Sequence, residues 1–244
     1  MTMRFFVDGP LVADTEYTLP PGPTRHAQVR RVQPGDALVL FDGRGSDWPA
    51  TVLAVGRSAV RVRVGSPLPV QAELPLAVTL ALVMPANERM DALVEKATEL
   101  GVAAIQPLHG ARSVLRLAGE RAERKRAHWQ AIAEAASEQC GRARVPGVAP
   151  VRDLLDWLPH AGAGARLLLS LAEGAAALPS AVTGATAVTT LSGPEGGLSS
   201  DEESAARAAG FVAVALGPRV LRADTAPLAV LAWLSLNATR PSGC

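Results

Sequence analysis

Two segments carry residue types that suit the binding and transformation of a small molecule. Gly193-Pro194-Glu195-Gly196-Gly197-Leu198 sets three glycines around a proline and a carboxylate, and Leu216-Gly217-Pro218-Arg219-Val220-Leu221-Arg222-Ala223-Asp224-Thr225-Ala226 follows further along the chain. Glycine lets main-chain N–H groups approach a ligand with no side chain in the way, and proline fixes a tight turn. Ser199 and Glu202 have the S-x-x-E spacing of a capping box, which opens a helix expected over Ser199–Ala209. In the second segment Arg219 and Arg222 put two permanent positive charges beside Asp224, and Pro227 falls in the first turn of the next helix. Glycine-rich strand-to-helix turns are also ordinary punctuation in α/β proteins, and a segment such as the first, taken alone, is more often a plain turn than a site. It matches neither G-x-G-x-x-G nor the P-loop, whose lysine is missing, and this weakens dinucleotide and triphosphate readings.

Two such loops make a site only if strands deliver them to one edge. After about residue 75 strand and helix patterns alternate. Strands are expected at Val78–Met84, Ala103–Leu108, Arg166–Leu171, Ala187–Leu191 and Val212–Leu216, and helices at Asn87–Leu100, Gly119–Gln139, Ser199–Ala209 and Ala226–Asn237. Alternation of this kind predicts an α/β domain with a largely parallel sheet, whose ligands bind beyond the carboxyl ends of the strands. Both glycine-bearing loops fall at that edge, and the loop after Arg166–Leu171 joins them if its strand is parallel.

Before residue 65 the pattern is β-like. Runs at Arg4–Val7, Ala37–Phe41, Pro49–Val55 and Ala59–Val64 are separated by turn signals such as Pro34-Gly35-Asp36, with one helical stretch at Arg25–Val32. A small β-barrel is expected. Ser66 to Pro75 has the proline spacing of a semi-rigid linker and places the domain boundary there.

The formal net charge of +1 over 244 residues announces no overall basic field, so any nucleic-acid surface must be local. Cys140 and Cys244 are too far apart for a C-x-x-C motif, and the four histidines show no ligand spacing, so a metal is not expected. The N-terminus turns charged too early for a signal peptide and no apolar run reaches membrane-spanning length; a cytoplasmic protein with reduced thiols and no membrane partner is expected.

Five segments in order, Glu95-Lys96-Ala97-Thr98-Glu99-Leu100-Gly101-Val102, Arg112-Ser113-Val114, Glu138-Gln139-Cys140-Gly141-Arg142, GPEGGLS and LGPRVLR, resemble the bacterial 16S (small-subunit) ribosomal RNA uridine N3-methyltransferases of the SPOUT superfamily. The likeness runs from Arg4 almost to the C-terminus. It implies a PUA-like, RNA-binding β-barrel over residues 1–70. A SPOUT-type α/β methyltransferase domain would follow over residues 75–244, with a deep trefoil knot that binds S-adenosyl-L-methionine. It also implies a homodimer acting on 16S ribosomal RNA in the small ribosomal subunit. The chain departs from the family pattern where Asp224 and Ala111 replace glutamates, and where Arg25 stands in place of a histidine, with His26 one position away.

Carried onto this chain, the resemblance assigns cofactor binding to Gly193, Gly196, Gly197, Leu216, Gly217 and Leu221, largely through their main chain. Leu171, Leu191, Pro194, Arg219, Thr225 and Ala226 complete the pocket. Arg222 is the candidate for stabilising charge on the uracil carbonyls, because a guanidinium stays charged and donates two parallel hydrogen bonds. Glu195 or Asp224 would take the proton or fix Arg222; a purely structural Arg222–Asp224 ion pair is the competing reading. RNA contacts are expected from Arg4, Arg25, His26, Arg30 and Arg31 in the barrel and from Arg112, Arg116 and Arg142 beyond it, although any single helix charge also fits a solvated face. Two other functional readings stay open: a SPOUT methyltransferase acting on another RNA or on a ribose 2′-hydroxyl, and a noncatalytic RNA-binding module.

Overall fold

The computed structural model describes residues 2–85, 88–172 and 174–237. Asn87, where a helix was expected to start, and Cys244 lie outside them. The chain divides into two compact units, one comprising Met1–Glu73 with Glu134–Val145 and the other Leu74–Ala133 with Pro146–Cys244.

The first unit holds β1 (Met3–Phe6), β2 (Glu16–Thr18), α1 (Pro21–Val29), β3 (Ala37–Phe41), β4 (Ser46–Val55), β5 (Val60–Val64) and β6 (Leu68–Pro69). The strands pair in the order β1-β3-β4-β5-β2, with β6 on β4. Alternation along β5 buries Val60, Val62 and Val64 and exposes Arg61 and Arg63, which pair with Glu16 on β2. The valines join Phe5, Leu38, Leu40 and Val52 in one apolar core.

Helix α1 starts and stops earlier than the sequence predicts. Pro21, in the first turn, has a φ already set for a helix, so the helix begins before Arg25. It ends at Val29 because Arg31 adopts φ +57°; the Arg31 and Val32 N–H groups then donate back to the carbonyls of Gln28 and Ala27. This is the Schellman arrangement, with buried Val32 and Ala27 supplying its apolar contact.

A contiguous division at the proline-rich segment is not what the structure shows. Residues 68–69 of that segment form β6, and the stretch 134–145 belongs to the first unit. Arg4 explains why. Its guanidinium binds Asp47 and the carbonyl oxygens of Ser137 and Arg142, while the Phe6 N–H donates to Glu138 at 2.7 Å. Arg142 pairs with Glu73, and the Gly45 N–H reaches the Ala143 carbonyl.

The second unit contains β7 (Ala77–Val83), α2 (Glu88–Glu99), β8 (Ala104–His109), most of α3 (Gly119–Cys140), β9 (Gly147–Val148), β10 (Arg152–Asp153), α4 (Leu154–Trp157), β11 (Ala165–Leu169), β12 (Ala176–Ala177), α5 (Leu178–Ala181), β13 (Ala187–Ser192), α6 (Ser200–Ala208), β14 (Val212–Ala215) and α7 (Thr225–Asn237). The sheet runs β10-β8-β7-β13-β11-β14-β12 with β9 on β8, and every pairing in it is parallel. As expected for a sheet covered on both faces, β7 is almost wholly apolar and buried. The order sets β13, β11 and β14 side by side, so the loops that leave their carboxyl ends are neighbours. No helix among the described residues is long and apolar enough to cross a membrane.

Candidate active site

The three neighbouring loops surround one cavity of about 580 Å³. The β11 loop contributes Ser170 and Leu171, the β13 loop Ser192 through Leu198, and the β14 loop Leu216 and Arg219 through Ala223, with Ala226 at the head of α7. Glycine and proline chemistry shapes the β13 loop. Pro194 to Gly197 closes as a turn, the Gly197 N–H donating to the Pro194 carbonyl at 2.8 Å with Gly197 at φ +70°. A Cβ on Gly193 would lie 2.8 Å from the Leu198 nitrogen, so the chain folds back over a position where only glycine fits.

The exit from this loop is the expected capping box. The Ser199 hydroxyl accepts from the Glu202 N–H, and Glu202 accepts from the Ser199 N–H at 2.8 Å. Glu202 is buried, and its other oxygen accepts the Ala111 N–H at 2.6 Å, tying α6 to the turn that follows β8. Arg112 in that turn donates through Nη1 to the carbonyls of Gly196 at 2.7 Å and Leu198 at 3.2 Å. Arg112, expected at RNA, is exposed, and through these bonds it also braces the glycine loop.

Of the residues expected to bind cofactor, Leu171, Gly193, Pro194, Gly196, Gly197, Leu216, Arg219, Leu221 and Ala226 line the cavity. Leu191, Gly217 and Thr225 are not among the lining residues. Leu191 is fully buried and packs in the core with Leu168 and Phe211, because alternation along β13 sends it away from the cavity that Ser192 lines. Gly217, at φ +97°, occupies the left-handed region that favours glycine. Lining residues the sequence does not single out are Arg89 on α2, Ser170, Ser192, Glu203 and Val220. Ser192 is 3% exposed, and its hydroxyl has no hydrogen-bond partner among the described residues. An unpaired buried hydroxyl on a cavity wall is a strong hint of a ligand group, and a hydroxyl at a strand end was the one readable signal for it.

Arg222 and Glu195 both line the cavity, but their partners differ from those expected. Glu195 pairs with Arg89, Oε1 to Nη1 at 3.0 Å. Among the described residues no ion pair joins Arg222 to Asp224, which sets aside the structural-pair reading. Asp224 sits in the capping position just before α7, where an aspartate normally accepts an N–H from the second or third helical residue. Here the third is Pro227, which has none, and the Ala226 N–H goes to the Arg222 carbonyl at 3.0 Å. Asp224 Oδ1 is therefore buried with no partner among the described residues, and Asp224, unlike Arg222 and Glu195, is not among the residues that line the cavity.

The charges expected to meet RNA separate into two groups. Arg25, His26, Arg30 and Arg31 are exposed around α1, and Arg116 is exposed after β8. Arg4 and Arg142 are turned inward. The Arg142 side chain is 4% exposed against Glu73, and Arg4, paired with Asp47, stacks 4.4 Å from the Phe41 ring centre. Both are committed to contacts within the first unit, and it is the guanidinium of each that is the more buried partner, its carboxylate being about a quarter exposed. Among the described residues no group of three or more His, Cys, Asp or Glu is arranged to hold a metal ion.

Comparisons with known proteins show the family of this chain. Residues 72–235 match the model of the RNA methyltransferase domain family, and residues 24–65 that of the RNA methyltransferase PUA domain. The chain is 35% identical over 219 residues to the ribosomal RNA small subunit methyltransferase E of Mycobacterium bovis, covering 88% of this chain and 83% of that protein. The crystal structure of ribosomal RNA small subunit methyltransferase E from Neisseria gonorrhoeae, bound to S-adenosyl methionine, superposes with a TM-score of 0.90 at 36% identity, covering 96% of this chain and 97% of that one. A putative methyltransferase from Legionella pneumophila, in complex with the cofactor, gives 0.91 at 32% identity, covering 97% and 98%. The chain belongs to the RNA methyltransferase family, with a PUA domain ahead of a mixed α/β methyltransferase domain.

Proposed function

We propose that this protein transfers a methyl group from S-adenosyl-L-methionine to N3 of a uridine in 16S ribosomal RNA. The observation that carries the reading is the convergence of the β11, β13 and β14 loops on one cavity at the carboxyl edge of a parallel sheet. Its size lies within the roughly 300–1,000 Å³ usual for small-molecule sites. The residues present fit the cofactor: glycine-shaped backbone at Gly193, Gly196 and Gly197, apolar walls at Leu171, Leu216 and Leu221, and the unpaired Ser192 hydroxyl.

When bound, S-adenosylmethionine supplies an electrophilic methyl group on a sulfonium. The chain supplies geometry and charge. Arg222 donates to the uracil carbonyl oxygens, on which negative charge builds as N3 gives up its proton. Asp224, next to the lining residues Arg222 and Ala223 though not itself on the cavity wall, takes that proton once its side chain turns toward the base, because its Oδ1 has no competing donor whereas Glu195 is already engaged by Arg89. Extruding an unpaired uridine brings N3 within reach at little cost.

The first unit, in this reading, curls its six-stranded sheet into a barrel and presents Arg25, His26, Arg30 and Arg31 to RNA. The C-terminal segment passes through a trefoil knot, and the protein works as a cytoplasmic homodimer on the small subunit. The apolar character of α7, where Leu236 is 86% exposed, supports a partner there, as do exposed Val220 and Leu171 at the cavity. The test is mass spectrometry of nucleosides from small-subunit RNA of a strain lacking this protein. Loss of N3-methyluridine, restored by the wild-type gene but not by Arg222→Ala, is expected. Retention refutes the reading, and a purified protein that gives no heat with S-adenosylmethionine would favour a noncatalytic module.

A further inference from the structure

The turn after β8 is closed on itself: the Ser113 N–H donates to the Gly110 carbonyl at 3.1 Å, and the Gly110 N–H donates to the Ser113 hydroxyl at 2.8 Å. This small rigid body presents two groups to the glycine loop, the Ala111 N–H to Glu202 and the Arg112 guanidinium to the carbonyls of Gly196 and Leu198. In a trans peptide the C=O and the following N–H point opposite ways. The peptide between Gly196 and Gly197 is held by Arg112 at its oxygen and by the Pro194 carbonyl at its nitrogen. The peptide between Leu198 and Ser199 is held by Arg112 at its oxygen and by Glu202 at its nitrogen. Both peptide planes are pinned at both ends. Glycine lowers the barrier to turning such planes, so without Arg112 the Gly196–Gly197 peptide has one anchor in a segment with the widest backbone freedom.

We infer that Arg112 is a positioning residue for the cofactor loop: its single Nη1 fixes the Gly196 and Leu198 carbonyls and so sets the orientation of the peptides that face the cavity. The inference rests on the reading of that cavity as the S-adenosylmethionine site. Bonds from a charged donor to carbonyls are among the stronger ones, and two are made here by one nitrogen. A lysine ammonium, which also offers several donors from one nitrogen, can replace it; a methionine of similar length cannot.

The experiment compares wild type, Arg112→Met and Arg112→Lys by calorimetry with S-adenosylmethionine, by hydrogen exchange at the Gly197 and Ser199 amides, and by the salt dependence of RNA binding. Wild type that binds no cofactor defeats the underlying reading, whereas the inference is decided by the variants. Expected are a dissociation constant raised about tenfold or more in Arg112→Met, recovery in Arg112→Lys, faster exchange at both amides, and an unchanged salt slope. An unchanged cofactor constant in Arg112→Met overturns the inference. So does a lowered salt slope without faster exchange, which would return Arg112 to phosphate contact. Melting of the ligand-free variants checks that the fold is intact.

Discussion

Arg89 Nη1 meets Glu195 Oε1 at 3.0 Å on the wall of the cavity, so a residue from the start of α2 engages the one carboxylate of the glycine loop. That contact distinguishes the two candidate proton acceptors. Glu195 has a guanidinium occupying one oxygen; Asp224 has a buried oxygen that no donor occupies among the described residues.

Replacing each carboxylate by its amide separates them. Asp224→Asn is expected to lower kcat by about 10²–10⁴, the usual worth of a general base. Glu195→Gln, which removes a charge whose ion pair with Arg89 is about one-third exposed and worth about 1 kcal/mol or less, should lower it by less than tenfold. Single-turnover methyl transfer measures both, and equal losses would remove Asp224 from the acceptor role.

Two glycines test the loops separately. Gly193→Ala places a methyl against backbone at 2.8 Å, so the whole turn must shift and cofactor affinity should collapse. Gly217→Ala meets nothing within 4 Å, and only its φ of +97° opposes the substitution, at about 1–3 kcal/mol. Calorimetry should therefore rank Gly193→Ala as much the worse for binding, with Gly217→Ala expressed mainly in melting temperature.

His109 gives a pH signature. Burial, aided by nearby Arg116 and opposed by Asp153, holds its pKa below the ordinary histidine value. Neutral His109 accepts the Leu117 N–H through Nε2 at 3.0 Å and closes the loop that carries Arg112. A depressed folded pKa means the contribution is present above the unfolded value of about 6.5 and is lost as pH falls through the folded one. Wild type should lose melting temperature below that pH relative to His109→Gln, which keeps an acceptor that does not titrate. Parallel profiles for the two proteins would show that His109 contributes nothing.

Arg31 separates stability from RNA affinity. A non-glycine residue in the left-handed region costs about 1–2 kcal/mol, so Arg31→Gly should stabilise the first unit by up to about 1 kcal/mol, part of the gain being offset by the freer unfolded chain. If the exposed guanidinium binds a phosphate, the same change weakens RNA binding and reduces its salt slope by about one. A stabilised variant with unaltered RNA binding would leave Arg31 a capping residue only.

The sheet and the two glycine loops were legible because apolar runs and Gly/Pro punctuation are local signals. The capping box at Ser199 and Glu202 was read residue for residue. The α1 boundaries were missed because the terminating position holds arginine where glycine would have signalled it, and the three-residue β2 is defined by its pairing with β5 more than by its own pattern. Arg112, Arg142 and Arg4 share a residue type, yet one braces a loop, two seal a domain, and none is the free surface charge that a run of arginines suggests. Direction of a long side chain depends on carbonyls and carboxylates far away in sequence, as with Arg89, which lies more than a hundred positions from Glu195.

The discontinuity of the first unit has a consequence for the nascent chain. Arg4 can meet Asp47 early, but its carbonyl acceptors, and the Arg142 partner of Glu73, come only when residues 137 to 142 have left the ribosome, at roughly 5–20 residues per second several seconds after the β-strands themselves. The N-terminal sheet must wait, incompletely sealed, while α2, β8 and most of α3 are made. Synthesis order and domain order therefore interleave in this protein: the first unit closes only after much of the second has been made, and the second is completed last.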